Sequence, residues 1–371
     1  MFKSSFKNNH KLPILNVIVL IFALSLLSQN VTAQMRQRIV SPEVHPDKTV
    51  TFRFSAPNAK KVMLDTQILD EPIQMTKDEN GVWTVTIGPA KPDIYPYNFN
   101  VDGIQVSDPN NAYIFANEQF KNSLVQIPGD NPLIHEEQNV PHGKIAYRYY
   151  NSETLGTTRR MVVYTPPGYE ENSKKYPVLY LIHGATDTEE TWYKVGRVND
   201  IMDNLIAQGK AKPMIIVMPY ANPAPAPRDA FVKDLLTDII PYTEEKYRVL
   251  TDRENRAVAG FSRGGGQTID AGLYNTDVFS WVCPFAPASN NDKIATDFES
   301  GVISSEELNE DLNLLWISCG TEDFLFERVT GFTDILKKNN VKFETMFPSG
   351  GHTWMNCKLY ISTVAPKLFQ D

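Results

Sequence analysis

The stretch RAVAGFSRGGGQT, Arg256 to Thr268, decides how this chain is read, because an apolar run ends there on a serine set between glycines. RAVAGF has the short, continuous apolar character of a strand covered on both faces, and GGGQTIDAGLY opens a helical segment. Ser262 therefore falls at a strand-to-helix turn, inside Gly260-Phe261-Ser262-Arg263-Gly264. In that context the G-x-S-x-G spacing has a mechanical meaning: a sharp elbow pushes the hydroxyl outward, and the glycines leave room for neighbouring backbone. The competing reading is a glycine-rich turn with a capping serine, and the pentapeptide alone does not separate the two.

A serine hydroxyl is a poor nucleophile without a base, so the first reading requires a histidine after a late strand and an acid before it in sequence. FPSGGHTWMN places His352 directly after the strand-like VKFETMF. Of the six histidines, His10 lies near the N-terminus, His45 in an early β-rich region, and His135 and His142 in a connecting stretch. His183 follows the strand-like VLYLI in IHGAT and is read as a structural residue shaping the loop there; His352 is the candidate base. The acid is expected after LNLLWIS, where CGTEDFLFE offers Glu322, Asp323 and Glu327. Asp323 is preferred for its place a few residues past the strand end, with Glu322 its competitor, since adjacent side chains point different ways. The backbone N–H of Arg263, at a helix N-terminus, and that of Ala185, with Thr186 as the alternative, are the expected oxyanion donors. Trp192, Tyr193 and Trp354 are candidates for a substrate pocket, although Trp192 and Tyr193 fit a core equally well.

Working outward, the segments YPVLYLIHG, MIIVMPY, NRAVAGF and NLLWISCG alternate with helical patterns such as VNDIMDNLIAQG and DAFVKDLLTDIIPYTEEKY. That alternation predicts an α/β domain with a mostly parallel sheet over residues 151–371. From 35 to 130 the text changes to period-two alternation, as in TVTFRFSAPNAKKVMLD and GVWTVTIG, punctuated by Pro57-Asn58, Asn80-Gly81 and Asp102-Gly103. A small all-β sandwich follows from it. Trp83, Tyr95, Tyr97 and Tyr113 there fit either a sugar-stacking surface or, the preferred reading, the core or an interdomain contact. Residues 131–150, rich in proline, glycine and polar residues, read as a linker.

The 371 residues are 42% hydrophobic and 22% charged, enough for two folded domains. A net charge of −8 without a long basic run gives no electrostatic attraction to nucleic acid. Lys3, Lys7 and Lys11 precede an apolar run from Ile14 to Leu27 and small residues at Val31-Thr32-Ala33. Residues 1–33 are therefore expected to be an export signal, leaving a periplasmic or extracellular protein without a permanent membrane anchor. The run is shorter than the roughly 20 residues of a spanning helix. Losing the three lysines takes the charge from −8 to −11. Cys283, Cys319 and Cys357 are the only cysteines and make no CxxC, and no HExxH occurs, so neither a disulfide framework nor a metal site is expected.

From Arg160 onward VYTPPGY, YPVLYLIHG, DLLTDIIPYTEEKYRV, RAVAGFSRGGGQT, WISCGTEDFL and GGHTWMNCKLYI follow one another in order. Together they resemble the esterase D-like branch of the α/β-hydrolases, which includes the feruloyl and acetyl xylan esterases of carbohydrate esterase family 1. HPDKTVTFRFSAPNAKKV, ENGVWTV and YNFNVDGIQVSDPNN are similar to the immunoglobulin-like modules, related to glycogen-binding modules, that precede many such enzymes. The resemblance implies a nucleophile at Ser262, an acid at Asp323 and a base at His352. It also implies no cofactor, and a feruloylated or acetylated plant cell-wall xylan, or its oligosaccharides, as the partner. The sequence departs from the pattern where Ala185-Thr186 replace a glycine run after His-Gly, and where Arg263 replaces the methionine that often follows the serine.

Overall fold

The computed structural model describes residues 39–224, 227 and 229–370. The expected export signal at 1–33 lies outside the described residues.

The first region contains β1 (Glu43–Val44), β2 (Val50–Ser55), β3 (Val62–Thr66), β4 (Ile73–Gln74), β5 (Thr76–Lys77), β6 (Val82–Ile87), β7 (Asp93–Val101), β8 (Ile104–Val106) and β9 (Ser123–Ile127). They form two antiparallel sheets, β1-β2-β6-β5 and β4-β3-β7-β8, with β9 also paired to β7. Alternation decides the packing: Val50, Phe52 and Phe54 of β2 meet Tyr95, Tyr97 and Phe99 of β7 between the sheets. Phe52 and Tyr97 pack edge to face with ring centroids 4.7 Å apart. Trp83, Tyr95 and Tyr97 are thus interior residues rather than a sugar platform, and the Trp83 indole N–H donates to the Ala56 carbonyl at 2.9 Å. Tyr113 lies at the junction with the second region, its hydroxyl donating to the Lys194 carbonyl at 2.7 Å.

The second region is built on β10 (Lys144–Ser152), β11 (Thr157–Thr165), β12 (Val178–Ile182), β13 (Ile215–Pro219), β14 (Arg256–Phe261), β15 (Trp281–Phe285), β16 (Leu314–Ser318) and β17 (Glu344–Met346). Their order is β10-β11-β13-β12-β14-β15-β16-β17; β10 and β11 run antiparallel, and every pairing from β13 to β17 is parallel. Strands β12 to β16 are buried along their whole length, which is why their sequences read as unbroken apolar runs. Helices α1 (Val198–Ala207), α2 (Arg263–Gly272), α3 (Phe326–Lys338) and α4 (Trp354–Val364) are among those that cover it. Because β12, β14, β16 and β17 are parallel, the loops after them share one rim of the sheet, where such folds bind ligands.

The expected linker is more ordered than its composition suggests. Asn204 Nδ2 donates to the carbonyls of Ile134 and Glu136, each at 2.9 Å, and the Gly143 N–H donates to Asp203 at 2.9 Å. Its last residues are already the edge strand β10, which begins at Lys144 rather than at 151. Most of β10 faces solvent and carries little apolar signal. The two regions also share buried surface: Ile94, Phe115 and Leu124 belong to the same apolar core as the large sheet.

Candidate active site

Ser262 occupies the turn between β14 and α2 at φ 58° and ψ −114°, a left-handed conformation that costs a non-glycine residue on the order of 1–3 kcal/mol. Three backbone hydrogen bonds hold it there. The Ser262 N–H donates to Phe285 O at 2.9 Å, and its carbonyl accepts from Gly266 at 3.0 Å and Ala288 at 2.9 Å. The flanking glycines are required by close approach. A Cβ at Gly264 would lie 2.4 Å from the His183 carbonyl oxygen, and one at Gly260 would lie 2.5 Å from that of Gly264.

His352 and Asp323 come together from two loops stitched by their backbones. The N–H of Thr321 donates to Pro348 O at 2.8 Å, and that of Glu322 to Gly350 O at 3.2 Å. This register turns Glu322 outward and buries the Asp323 side chain completely. The His352 Nδ1–H donates to Asp323 Oδ2 at 2.7 Å, and Asp323 Oδ1 accepts from the Leu325 N–H at 2.8 Å. With one carboxylate oxygen spent on a backbone amide, the other is fixed toward the imidazole, which leaves Nε2 as the ring's free acceptor. Asp323 is thus the acid that faces His352, and neither Glu322 nor the exposed Glu327 does. The imidazole is stacked on Phe261, with centroids 4.3 Å apart, and meets the tilted ring of Phe324 at 4.6 Å.

Ser262 and His352 line one cavity of about 320 Å³ together with Ala185 and Thr186. Arg263 opens α2 directly behind the serine. Its guanidinium reaches sideways, Nη1 donating to Asn222 Oδ1 at 2.6 Å. His183 plays the loop-shaping part. Its Nδ1–H donates to Gly184 O at 2.8 Å, and its Nε2 accepts from the Ala221 N–H at 2.9 Å. Burial pushes this imidazole down to about 3, so it stays neutral and keeps that pair of bonds.

The cavity walls differ from the expected ones. Trp354 lines them, but Trp192 is 1% exposed, donates its indole N–H to Ile182 O at 3.1 Å, and packs edge to face on Trp354. Trp192 is core, and Tyr193 packs beside the core rather than on the cavity. The walls are instead Phe324, Val195 and Trp354, with Gln67, Pro96, Phe115, Asn117 and Phe120 from the first region. Five of these, Gln67, Pro96, Phe115, Asn117 and Phe120, lie more than 60 residues before His183, and no local pattern announces them. Phe324 was findable: it adjoins the acid and is 77% exposed, an uncommon state for phenylalanine.

Residues 152–354 match the family model described as "Putative esterase". The chain belongs to this esterase family. The matched segment is a carboxylic ester hydrolase domain. The chain is 28% identical over 347 residues to an endo-1,4-beta-xylanase/feruloyl esterase of Xylanibacter ruminicola, covering 89% of this chain and 46% of that protein. It therefore spans less than half the length of that curated relative. A solved ferulic acid esterase superposes with a TM-score of 0.54 at 31% identity, covering 62% of this chain and 98% of its own. The enterobactin esterase of Shigella flexneri superposes over 87% of this chain and 93% of its own, with a TM-score of 0.65. Its 16% identity makes that a likeness of fold, one that extends across the first region of this esterase as well. Among the described residues no helix is long and apolar enough to cross a membrane.

Proposed function

We propose that this esterase is an exported serine carboxylesterase that releases feruloyl groups from arabinose side chains of xylan. The observation that carries the acyl preference is the cavity at Ser262, walled by Phe115, Phe120, Phe324 and Trp354. Aromatic walls of that kind stack on a hydroxycinnamoyl ring, whereas an acetyl group would leave most of about 320 Å³ unfilled. Relatives named as feruloyl esterases support the same choice.

In this reading His352 Nε2 takes the Ser262 proton as the oxygen attacks the ester carbonyl. Asp323 holds the Nδ1–H tautomer and stabilises the imidazolium without accepting the proton. The amides of Arg263 and Ala185 hold the tetrahedral oxyanion. The imidazolium then protonates the departing sugar alkoxide, and water repeats the sequence on the acyl-enzyme. No step asks for a metal or a cofactor.

The test is a substrate panel for wild type beside Ser262→Ala: methyl ferulate, acetylated xylan and a catecholate trilactone. Wild type is expected to turn over methyl ferulate fastest, and Ser262→Ala none of the three. Preference for acetylated xylan would make the protein an acetyl xylan esterase, and preference for the trilactone a siderophore esterase. Sugar binding without turnover of any ester would leave a carbohydrate-binding protein with an inactive hydrolase domain.

A further inference from the structure

The loop after β12 is held from outside the large sheet. The segment from Phe115 to Phe120, part of the first region, crosses to it, and Asn117 pairs with Asp187 in an isolated antiparallel bridge. The Glu118 N–H donates to Thr186 O at 2.7 Å, and Thr191 Oγ1 donates to Ala116 O at 2.7 Å. The buried Asn117 side chain works in both directions. Its Oδ1 accepts from the N–H groups of Gln119 at 2.9 Å and Phe120 at 3.3 Å, which folds its own segment. Its Nδ2 donates to Thr186 Oγ1 at 2.9 Å and to Asp187 Oδ1 at 3.1 Å, which ties that segment to the loop. The Glu118 carboxylate extends the tie, accepting from Tyr220 Oη and Asn222 Nδ2; Asn222 in turn accepts from Arg263, the residue after the serine.

The loop needs such support. Thr186 sits at φ 65°, a conformation a β-branched residue does not hold by itself. Asp187 is buried, and burial raises its carboxyl to about 7. Asn117 Nδ2 supplies the donor that this carboxylate would otherwise lack from the first region.

We propose that Asn117 is a positioning residue for the oxyanion hole: by fixing Thr186 and Asp187 it sets the adjoining Ala185 amide relative to Ser262, so the β-rich region completes the catalytic machinery. This rests on Ser262 being the nucleophile and not on the identity of the acyl group. Asn117→Asp is the informative variant, because it keeps an acceptor for Gln119 and Phe120 and removes the donor to the loop.

The experiment measures kcat and KM on p-nitrophenyl acetate and methyl ferulate, the inhibition constant of an arylboronic acid, and Tm. The boronate forms a tetrahedral anion on the serine and so reports the oxyanion hole directly. Asn117→Asp is expected to lower kcat by about tenfold to a hundredfold, up to the loss of one oxyanion donor. Boronate affinity should fall by a similar factor, with KM changed less than about threefold. Thr186→Val, which removes the hydroxyl acceptor at nearly constant shape, should move the same quantities in the same direction, and Thr186→Ser should restore them. That pair keeps the proposal testable if Asn117→Asp does not fold. Unchanged kcat and boronate affinity in folded Asn117→Asp or in Thr186→Val would overturn the assignment of Asn117 alone. A wild type inert toward both esters would overturn the reading of Ser262 and this proposal with it.

Discussion

The Nδ1–H of His352 donates to Asp323 Oδ2 across 2.7 Å, and the carboxylate that receives it is wholly buried. Asn at position 323 keeps the shape but can present a donor to the imidazole, favouring the wrong tautomer. Asp323→Asn should lower kcat on methyl ferulate by about 10³- to 10⁴-fold. Glu322→Gln, at the exposed neighbour, should stay within about twofold. Equal losses in the two variants would contradict the assignment of the acid.

Trp192 and Phe324 predict a split between stability and binding. Trp192→Ala empties a core position and should cost about 3–5 kcal/mol in denaturant unfolding. Phe324→Ala removes an exposed ring tilted against His352 and should leave unfolding within about 0.5 kcal/mol. Its KM for methyl ferulate should rise by about threefold or more, as loss of an aromatic contact implies. The opposite pattern would return Trp192 to the pocket.

A buried ion pair joins the two regions. Lys358 Nζ, on α4, lies 2.8 Å from Asp93 Oδ1, on β7, and the lysine side chain is only 2% exposed. Removing one partner leaves the other charge buried, so Asp93→Asn should destabilise by about 3 kcal/mol. Asp93→Asn combined with Lys358→Met should recover most of that loss in the same chemical unfolding experiment. A double variant less stable than the single one would contradict this account.

His135 packs beside that pair, its Nε2 3.8 Å from Asp93 Oδ1. Burial first, and then the Lys358 charge, lowers its imidazole from 6.5 to about 4. Between those values the unfolded chain binds a proton that the folded one does not, so this residue's contribution falls as pH drops from about 6.5 toward 4. His183 shares that sign, whereas Asp187, raised by burial to about 7, opposes it, so the contribution is read as a difference. From pH 7 to pH 5, His135→Gln should lose about 2–5 °C less in Tm than wild type. Parallel losses in the two proteins would refute it.

What was legible in the sequence depended on how locally each feature is determined. The elbow at Ser262 could be read because Gly260 and Gly264 are dictated by carbonyl oxygens within 2.4–2.5 Å of where a Cβ would sit. The parallel strands could be read because burial on both faces makes their runs continuous. The choice between Glu322 and Asp323 could not, since it depends on backbone bonds from Thr321 and Glu322 to Pro348 and Gly350. Trp192 is ambiguous for a related reason: indole rings suit a pocket wall and a core alike, and its burial and its bond to Ile182 O separate them. Strand β10 carries no apolar run because it is a largely exposed edge strand. Asn117 had no local signal because its partners Thr186 and Asp187 lie about 70 residues further along the chain, and Phe115 meets Trp354 only in the fold.

The most direct measurement of the central claim, that Ser262 is a nucleophile activated by His352 and Asp323, is labelling of the folded protein with a fluorophosphonate followed by peptide mass mapping. One stoichiometric adduct on Ser262 is predicted, slowed by at least about a hundredfold in His352→Ala. A folded protein that takes no adduct at Ser262, or one whose labelling rate is indifferent to His352, would contradict the account.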